Sequence, residues 1–176
     1  MPLNSPHLRW ERGGVRARSR IGVKMRQILN RNMIKYWLPV VFWMAFIFWM
    51  STETFSSENT ASWLELLLGL FIPKISPPEF DLIHTVMRKA GHVMEYFVLG
   101  FLLFRSFRGK STSSWNWRWS FFVIMVVGLW AIIDELHQSF VLTRTASAAD
   151  VGIDTAGGIL GQCVGAIWYR YRRLEK

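Results

Sequence analysis

Apolar residues gather in four blocks along the chain: Tyr36 to Met50, Ala90 to Phe104, Trp119 to Ile133 and Val151 to Tyr169. Each block is apolar nearly all round, whereas a helix of a soluble bundle keeps a polar face, so the blocks read as membrane-spanning helices. Three of them are only fifteen residues long. A helix of that length covers roughly 22 Å at about 1.5 Å per residue, short of the roughly 30 Å hydrocarbon core. Each must therefore extend into its flanks, with Lys35, Arg105 or Arg118 reaching back to the interface. Between the first two blocks, Ser62-Trp63-Leu64-Glu65 has the spacing of a capping box and leads into Leu66 to Phe71, stopped by Pro73. This predicts a short interfacial helix. Pro77-Pro78 is expected to break the chain before a long helix beginning near Asp81. The pattern predicts an all-α fold, a four-transmembrane-helix bundle with a short interfacial helix in the first outer loop.

Charge supplies orientation. Residues 1–35 hold nine of the 21 Lys and Arg, 105–118 hold four and 170–176 hold four, leaving three in 51–89 and one in 134–150. Basic residues favour the cytoplasmic side of a span, so both termini and the 105–118 loop are expected inside. Eight of the twelve acids fall in the two outer loops, which agrees. The expected location is a bacterial cytoplasmic (inner) membrane, crossed several times. Residues 1–32 read as a disordered basic cytoplasmic tail, 33–170 as the membrane domain and 171–176 as a second cytoplasmic tail. The tail is too long for the n-region of a cleavable signal, and no small-residue cleavage site follows the first apolar block. Met25 and Met33 offer alternative starts. Ten Trp and thirteen Phe suit lipid, and the single Cys163 excludes an internal disulfide. Anchoring on anionic lipid accounts for the basic tail, so no nucleic-acid partner is expected.

The polar residues inside these blocks converge. Lys89, His92, Glu95 and Tyr96 share one stripe at the outer end of the second helix. Asp134, Glu135, His137 and Gln138 close the third helix on the same side, and Asp150 and Asp154 open the fourth one turn apart, with Arg144 in the loop between. Ionisable groups at membrane depth are expensive and face a bundle interior or a wet cavity, so the cluster is a candidate site. Structural roles compete for several positions. Asp150 follows Ser147 as in a capping box, Glu95 has the alternative of bonding a neighbouring helix as a neutral acid, and Arg88 and Lys89 have that of interface anchors. His84 reads as merely exposed. Asp134 and Glu135 read as a helix end, although acids there oppose the helix dipole. His92, Glu95 and His137 are the hardest to explain structurally. Gly157, Gly158, Gly161 and Gly165 form a small-residue stripe whose ordinary use is close helix packing; the Gly157/Gly161/Gly165 face also offers a homodimer contact.

Taken together, Arg88-Lys89-Ala90-Gly91-His92 with Glu95-Tyr96 and Leu99-Gly100, then Asp134 to Phe140, Arg144-Thr145, Asp150 and Gly157 to Gly161, carry a resemblance. Over roughly Tyr36 to Tyr169 the chain resembles the VanZ-like family of small bacterial membrane proteins. The resemblance implies a cell-envelope protein associated with low-level resistance to teicoplanin and related lipoglycopeptides, and an enzyme acting on lipid headgroups. Leu142-Thr143 stands where the family commonly has Pro-Gly, and Asp154 where it often has Asn, which adds a carboxylate to the site.

Two activities fit this cluster. As an enzyme, a hydrolase or transferase on phosphoesters or pyrophosphates, the protein would bind the phosphate through Lys89 and Arg144, with Tyr96, Glu135, Gln138, Asp150 and Asp154 lining the substrate site. His92 or His137 would act as nucleophile or general acid and base, oriented by Glu95 and Asp134. An outward-facing cluster at headgroup level suits membrane lipids or lipid-linked cell-wall intermediates. As a binder, the same cluster would recognise or shield a headgroup or a glycopeptide without chemistry. Four short helices with no inverted repeat argue against a monomeric transporter. No cofactor is required by either reading and no metal ligands are assigned. Two His with several acids suit a divalent ion, yet no HExxH or similarly compact motif is present.

Overall fold

The double proline starts a helix instead of breaking one. Pro77 and Pro78 occupy the first helical positions, where the missing N–H groups have no intrahelical partner to lose. The Ser76 N–H donates to Glu79 Oε2 at 3.0 Å and the Ser76 hydroxyl donates to the same oxygen at 2.7 Å, which fixes the entry. These hydrogen bonds hold the Glu79 carboxyl below its ordinary value.

The computed structural model describes residues 31, 33–72, 75–140 and 147–175. Among them the fold is all-helical: α1 (Met33–Met50), a 3-10 turn (Glu53–Phe55), α2 (Ser57–Phe71), α3 (Pro77–Arg108), α4 (Trp117–Gln138) and α5 (Ala148–Leu174). The expected tail over 1–32, Arg31 apart, and the loop carrying Arg144 lie outside the described residues. The helix between the first two apolar blocks is longer than the Ser62 pattern implied. Ser56 caps it by accepting from the Asn59 N–H at 3.4 Å, and Ser62 sits mid-helix with its hydroxyl donating to the Glu58 carbonyl at 3.0 Å. α3 likewise begins at Pro77 and not near Asp81.

α3 and α5 form the central seam, and glycine makes it close. A Cβ on Gly157 would stand 2.7 Å from the Val93 carbonyl, and Cβ atoms on Gly161 and Gly100 would overlap the backbones of Phe97 and Gly158. The glycine stripe is thus used for packing within the chain, and the homodimer face expected at Gly157, Gly161 and Gly165 is covered by α3. Tyr96, Leu99, Leu103 and Phe104 of α3 meet Val123, Val127 and Ala131 of α4 in the core, which Val40 and Ile47 of α1 complete. α1 is tied to α3 by two hydrogen bonds. The Ser106 hydroxyl donates to the Tyr36 carbonyl at 2.7 Å, and the Trp43 indole N–H donates to the Glu95 carbonyl at 2.8 Å.

The outer surface is apolar. Leu38 and Phe42 on α1, Phe121 and Leu129 on α4, and Leu160 and Ile167 on α5 are all exposed, a display of large apolar side chains that water-facing bundles avoid. Two helices, α1 and α4, are long and apolar enough to cross a membrane. Four were expected. α3 and α5 carry the other two apolar blocks, but their ionisable residues and the glycines of the seam dilute them.

Candidate functional site

Three helices deliver one polar residue each to a common point. α3 contributes His92, α4 contributes Asp134 and α5 contributes Asp154, and one ligand atom from each lies within 4.8 Å of the others. His92 Nδ1 stands 3.6 Å from Asp154 Oδ1, across the glycine seam. Asp154 is 0% exposed and Asp134 1%. Asp134 is held on both oxygens: the Ser51 hydroxyl donates to Oδ1, and Gln138 Nε2 donates to Oδ2 at 3.0 Å. Ser51 lies just past α1, so this carboxylate also joins α1 to α4. Asp154 has no comparable support. Neither of its oxygens accepts a hydrogen bond among the described residues, and His92 Nδ1 has no hydrogen-bonding partner there.

Two cavities meet at His92. One, of about 220 Å³, is mainly hydrophobic, with Met50, Phe55, Leu64 and Met87 in its wall and Ser51, Thr60 and Glu95 among its polar lining. The other, of about 320 Å³, is lined by Lys89, Gln138, Asp150, Asp154 and Ser57 among others. His84, Arg88 and His92 line both. These three sit four residues apart, on one stripe of α3. His84 Nε2 lies 3.0 Å from the Thr60 hydroxyl, and Arg88 Nη1 donates to the Ser57 hydroxyl at 2.9 Å, so α2 closes the stripe from above. Lys89 pairs with Asp150 at 3.1 Å on the exposed rim.

The expected site residues separate into groups. His92, Asp134 and Asp154 come together, Gln138 supports Asp134, and Lys89 and Asp150 form the rim. Glu95 lines the hydrophobic cavity, and Asp154 takes the place beside His92 that Glu95 was expected to hold. His137 packs against Phe48, with ring centroids 4.2 Å apart and ring planes tilted by 36°, and lines neither cavity. Tyr96 is a fully buried member of the core. Glu135 Oε2 accepts the Ser147 N–H at 2.8 Å and so ties the end of α4 to the start of α5. Asp150 closes no capping box; its carboxylate goes to Lys89, while Ser147 caps α5 by accepting from the Ala149 N–H at 3.2 Å. Arg144 lies outside the described residues.

A family model described as VanZ/LLP1 matches residues 36–169. The chain belongs to the VanZ/LLP1 family. No curated protein and no solved structure matches it. With its exposed apolar faces and the two apolar helices α1 and α4, this VanZ/LLP1 chain is a membrane protein. Its matched region contains every residue of the three-helix cluster and both cavities. Ser51, Ser57, Thr60 and His84 are among the lining residues that escaped the sequence reading. The 84, 88, 92 spacing was a usable signal for His84. The three hydroxyls had none, because α2 folds over α3 through contacts that no local spacing encodes.

Proposed function

We propose that this VanZ/LLP1 protein takes an amphiphile with a phosphate or pyrophosphate headgroup, a membrane lipid or a lipid-linked cell-wall intermediate, at the outer face of a bacterial cytoplasmic membrane. One observation carries the reading. A hydrophobic cavity and a polar cavity share His84, Arg88 and His92, so an apolar chain and a charged head can be held on either side of one stripe that carries the Arg88 charge. Arg88 and Lys89 supply the positive charge for phosphate oxygens. His92, half-buried with Asp154 beside it, is the group placed to move a proton or attack the headgroup. In this reading the four apolar blocks cross the membrane with both termini inside, the arrangement that the basic-residue bias favours. Altering a headgroup on the outer leaflet would lower the access of lipoglycopeptides such as teicoplanin.

A second reading is binding without chemistry. It is favoured by the engagement of both cations within the chain, Lys89 by Asp150 and Arg88 by Ser57. The two readings part in one experiment. Purified protein in nanodiscs is incubated with labelled phospholipid or lipid-linked pyrophosphate, and both retention and headgroup release are measured. Release lost in His92→Gln supports the enzyme. Retention without release, weakened by Arg88→Met, supports the binder. No retention and no release of either lipid class would remove both.

A further inference from the structure

We propose that His92, Asp134 and Asp154 bind a divalent transition-metal ion, with Zn²⁺ the best-matched species. The three side chains come from three helices that are far apart in sequence, yet one donor atom from each falls within a 4.8 Å circle. Asp154 is the decisive residue. It is fully buried, and both of its oxygens lack a hydrogen-bond donor among the described residues. Buried carboxylates are normally satisfied by donors, by a counter-charge or by a metal. His92 Nδ1, which itself has no hydrogen-bonding partner among the described residues, stands 3.6 Å from Asp154 Oδ1. Two donors bonded to one tetrahedral Zn²⁺ at about 2.0–2.1 Å lie roughly 3.3–3.4 Å apart. The separation between His92 and Asp154 therefore fits an ion between them with a small inward movement.

Asp134 has the second feature of a metal ligand. Each of its oxygens is oriented by a neighbour, Ser51 on one and Gln138 on the other, and such outer contacts fix the direction of a ligating carboxylate. Two buried carboxylates this close repel each other when both are ionised. A doubly charged cation compensates both and uses the imidazole lone pair as well. One nitrogen with two carboxylate oxygens suits Zn²⁺ over Mg²⁺ and Ca²⁺, which favour all-oxygen sets, and the affinity order of first-row ions places Zn²⁺ above Mn²⁺. Three protein ligands also leave a coordination position free. His92 and Asp154 both line the polar cavity, so that position faces the space bordered by Arg88 and Lys89.

The proposal deepens the headgroup reading by giving His92 the role of metal ligand in place of nucleophile or proton carrier, and needs that reading only for what occupies the free position. Ion content and headgroup retention are measured separately, so either can fail alone. Full-length protein in detergent is stripped with a chelator, reloaded with Zn²⁺, desalted and assayed for metal by mass spectrometry, with elution volume and tryptophan emission as folding controls. The wild-type chain should retain about one ion, as a three-ligand site with an open position does. Asp154→Asn and His92→Gln should each retain at least tenfold less at the same free Zn²⁺. Asp81→Asn, an exposed acid of α3 that lines neither cavity, should retain as much as wild type. A folded wild-type chain without Zn²⁺, unchanged retention in the first two variants, or equal loss in Asp81→Asn would overturn the site. Where a variant does not fold, Co²⁺ loading of the wild-type chain decides: strong visible ligand-field bands support a four-coordinate ion on the three protein ligands, and a chain that retains no Co²⁺ rejects the site.

Discussion

Asp134 of α4 is bonded to Ser51, 83 positions earlier in the chain, and this contact joins the end of the first apolar helix to the candidate site. Gln138, one turn past Asp134, completes the clamp and lies 3.4 Å from the same Ser51 hydroxyl. Because all three side chains are buried, removing a partner leaves a polar atom unpaired. Ser51→Ala and Gln138→Leu should each lower stability by about 1–3 kcal/mol. Since both residues serve one carboxylate, the double variant should depart from additivity by about 0.5 kcal/mol or more. Chemical denaturation of the four proteins in detergent checks this, and strictly additive losses would mean that the two donors act separately.

Glu135, expected to line the substrate site, also ties two helices together. Its carboxylate accepts the Ser147 N–H and so sets the distance between the end of α4 and the cap of α5. Removal by Glu135→Ala should cost about 1.5–3 kcal/mol, the range for a hydrogen bond to a charged group. Glu135→Gln keeps an acceptor and should recover part of that loss. Headgroup retention by the folded fraction should be close to wild type in both. A large loss of retention with no loss of stability would return Glu135 to the binding site.

The helices and the polar stripes were legible because both are local. Apolarity all round a segment marks α1 and α4, and three- and four-residue spacing marks His92 with Lys89, and Asp134 with Gln138. The rotation of each helix about its axis was not legible. At about 100° per residue, His137 lies about 60° to one side of Asp134 while Gln138 lies about 40° to the other. Sequence spacing permits both to share the site, and packing decides: Gln138 turns inward to Asp134, and His137 turns to Phe48. For the same reason Glu95 lines the hydrophobic cavity and Asp154 stands beside His92. The glycines that bring α5 against α3 carry Asp154 to His92, a consequence of seam depth that neither helix shows alone.

His84 should make stability depend on pH. Burial lowers its affinity for a proton, the nearby Arg88 charge adds to this, and Asp81 opposes it more weakly. The folded-state pKa therefore lies below the ordinary 6.5, and the unfolded chain binds more protons through that window. The stabilising contribution is fully present above the ordinary value and is lost as pH falls through the folded one. His84 precedes the proposed second span, so bulk protons reach it. Thermal melts across about pH 5 to 7 should show a stability decrease on acidification that His84→Gln makes shallower. An identical slope in the variant would assign the effect to other groups.

Orientation is the part of the proposal that rests on charge alone. With seventeen of the 21 basic residues in the segments assigned to the inside, reporter fusions after Lys110 and after Arg144 should report opposite sides of the membrane. Both on one side would remove the four-span arrangement and, with it, the outward direction of the cavities.

The glycine seam gives a test in which position, not chemistry, is the variable. A methyl on Gly161 would overlap the Phe97 carbonyl and come within 2.8 Å of its carbon, both backbone atoms that no rotamer change can move. At Gly152 of the same helix, a methyl meets nothing within 4 Å. Helix propensity favours alanine equally at both sites, by about 0.8–1.0 kcal/mol. Gly152→Ala should therefore hold or raise the melting temperature. Gly161→Ala should lower it, since overpacking a close contact typically costs about 1–3 kcal/mol and here α5 must move away from α3 as a whole. That movement separates Asp154 from His92, so Gly161→Ala should also weaken Zn²⁺ retention although residue 161 lies two turns from the nearest proposed ligand. Equal melting temperatures for the two variants would show that the seam is looser than its backbone contacts indicate.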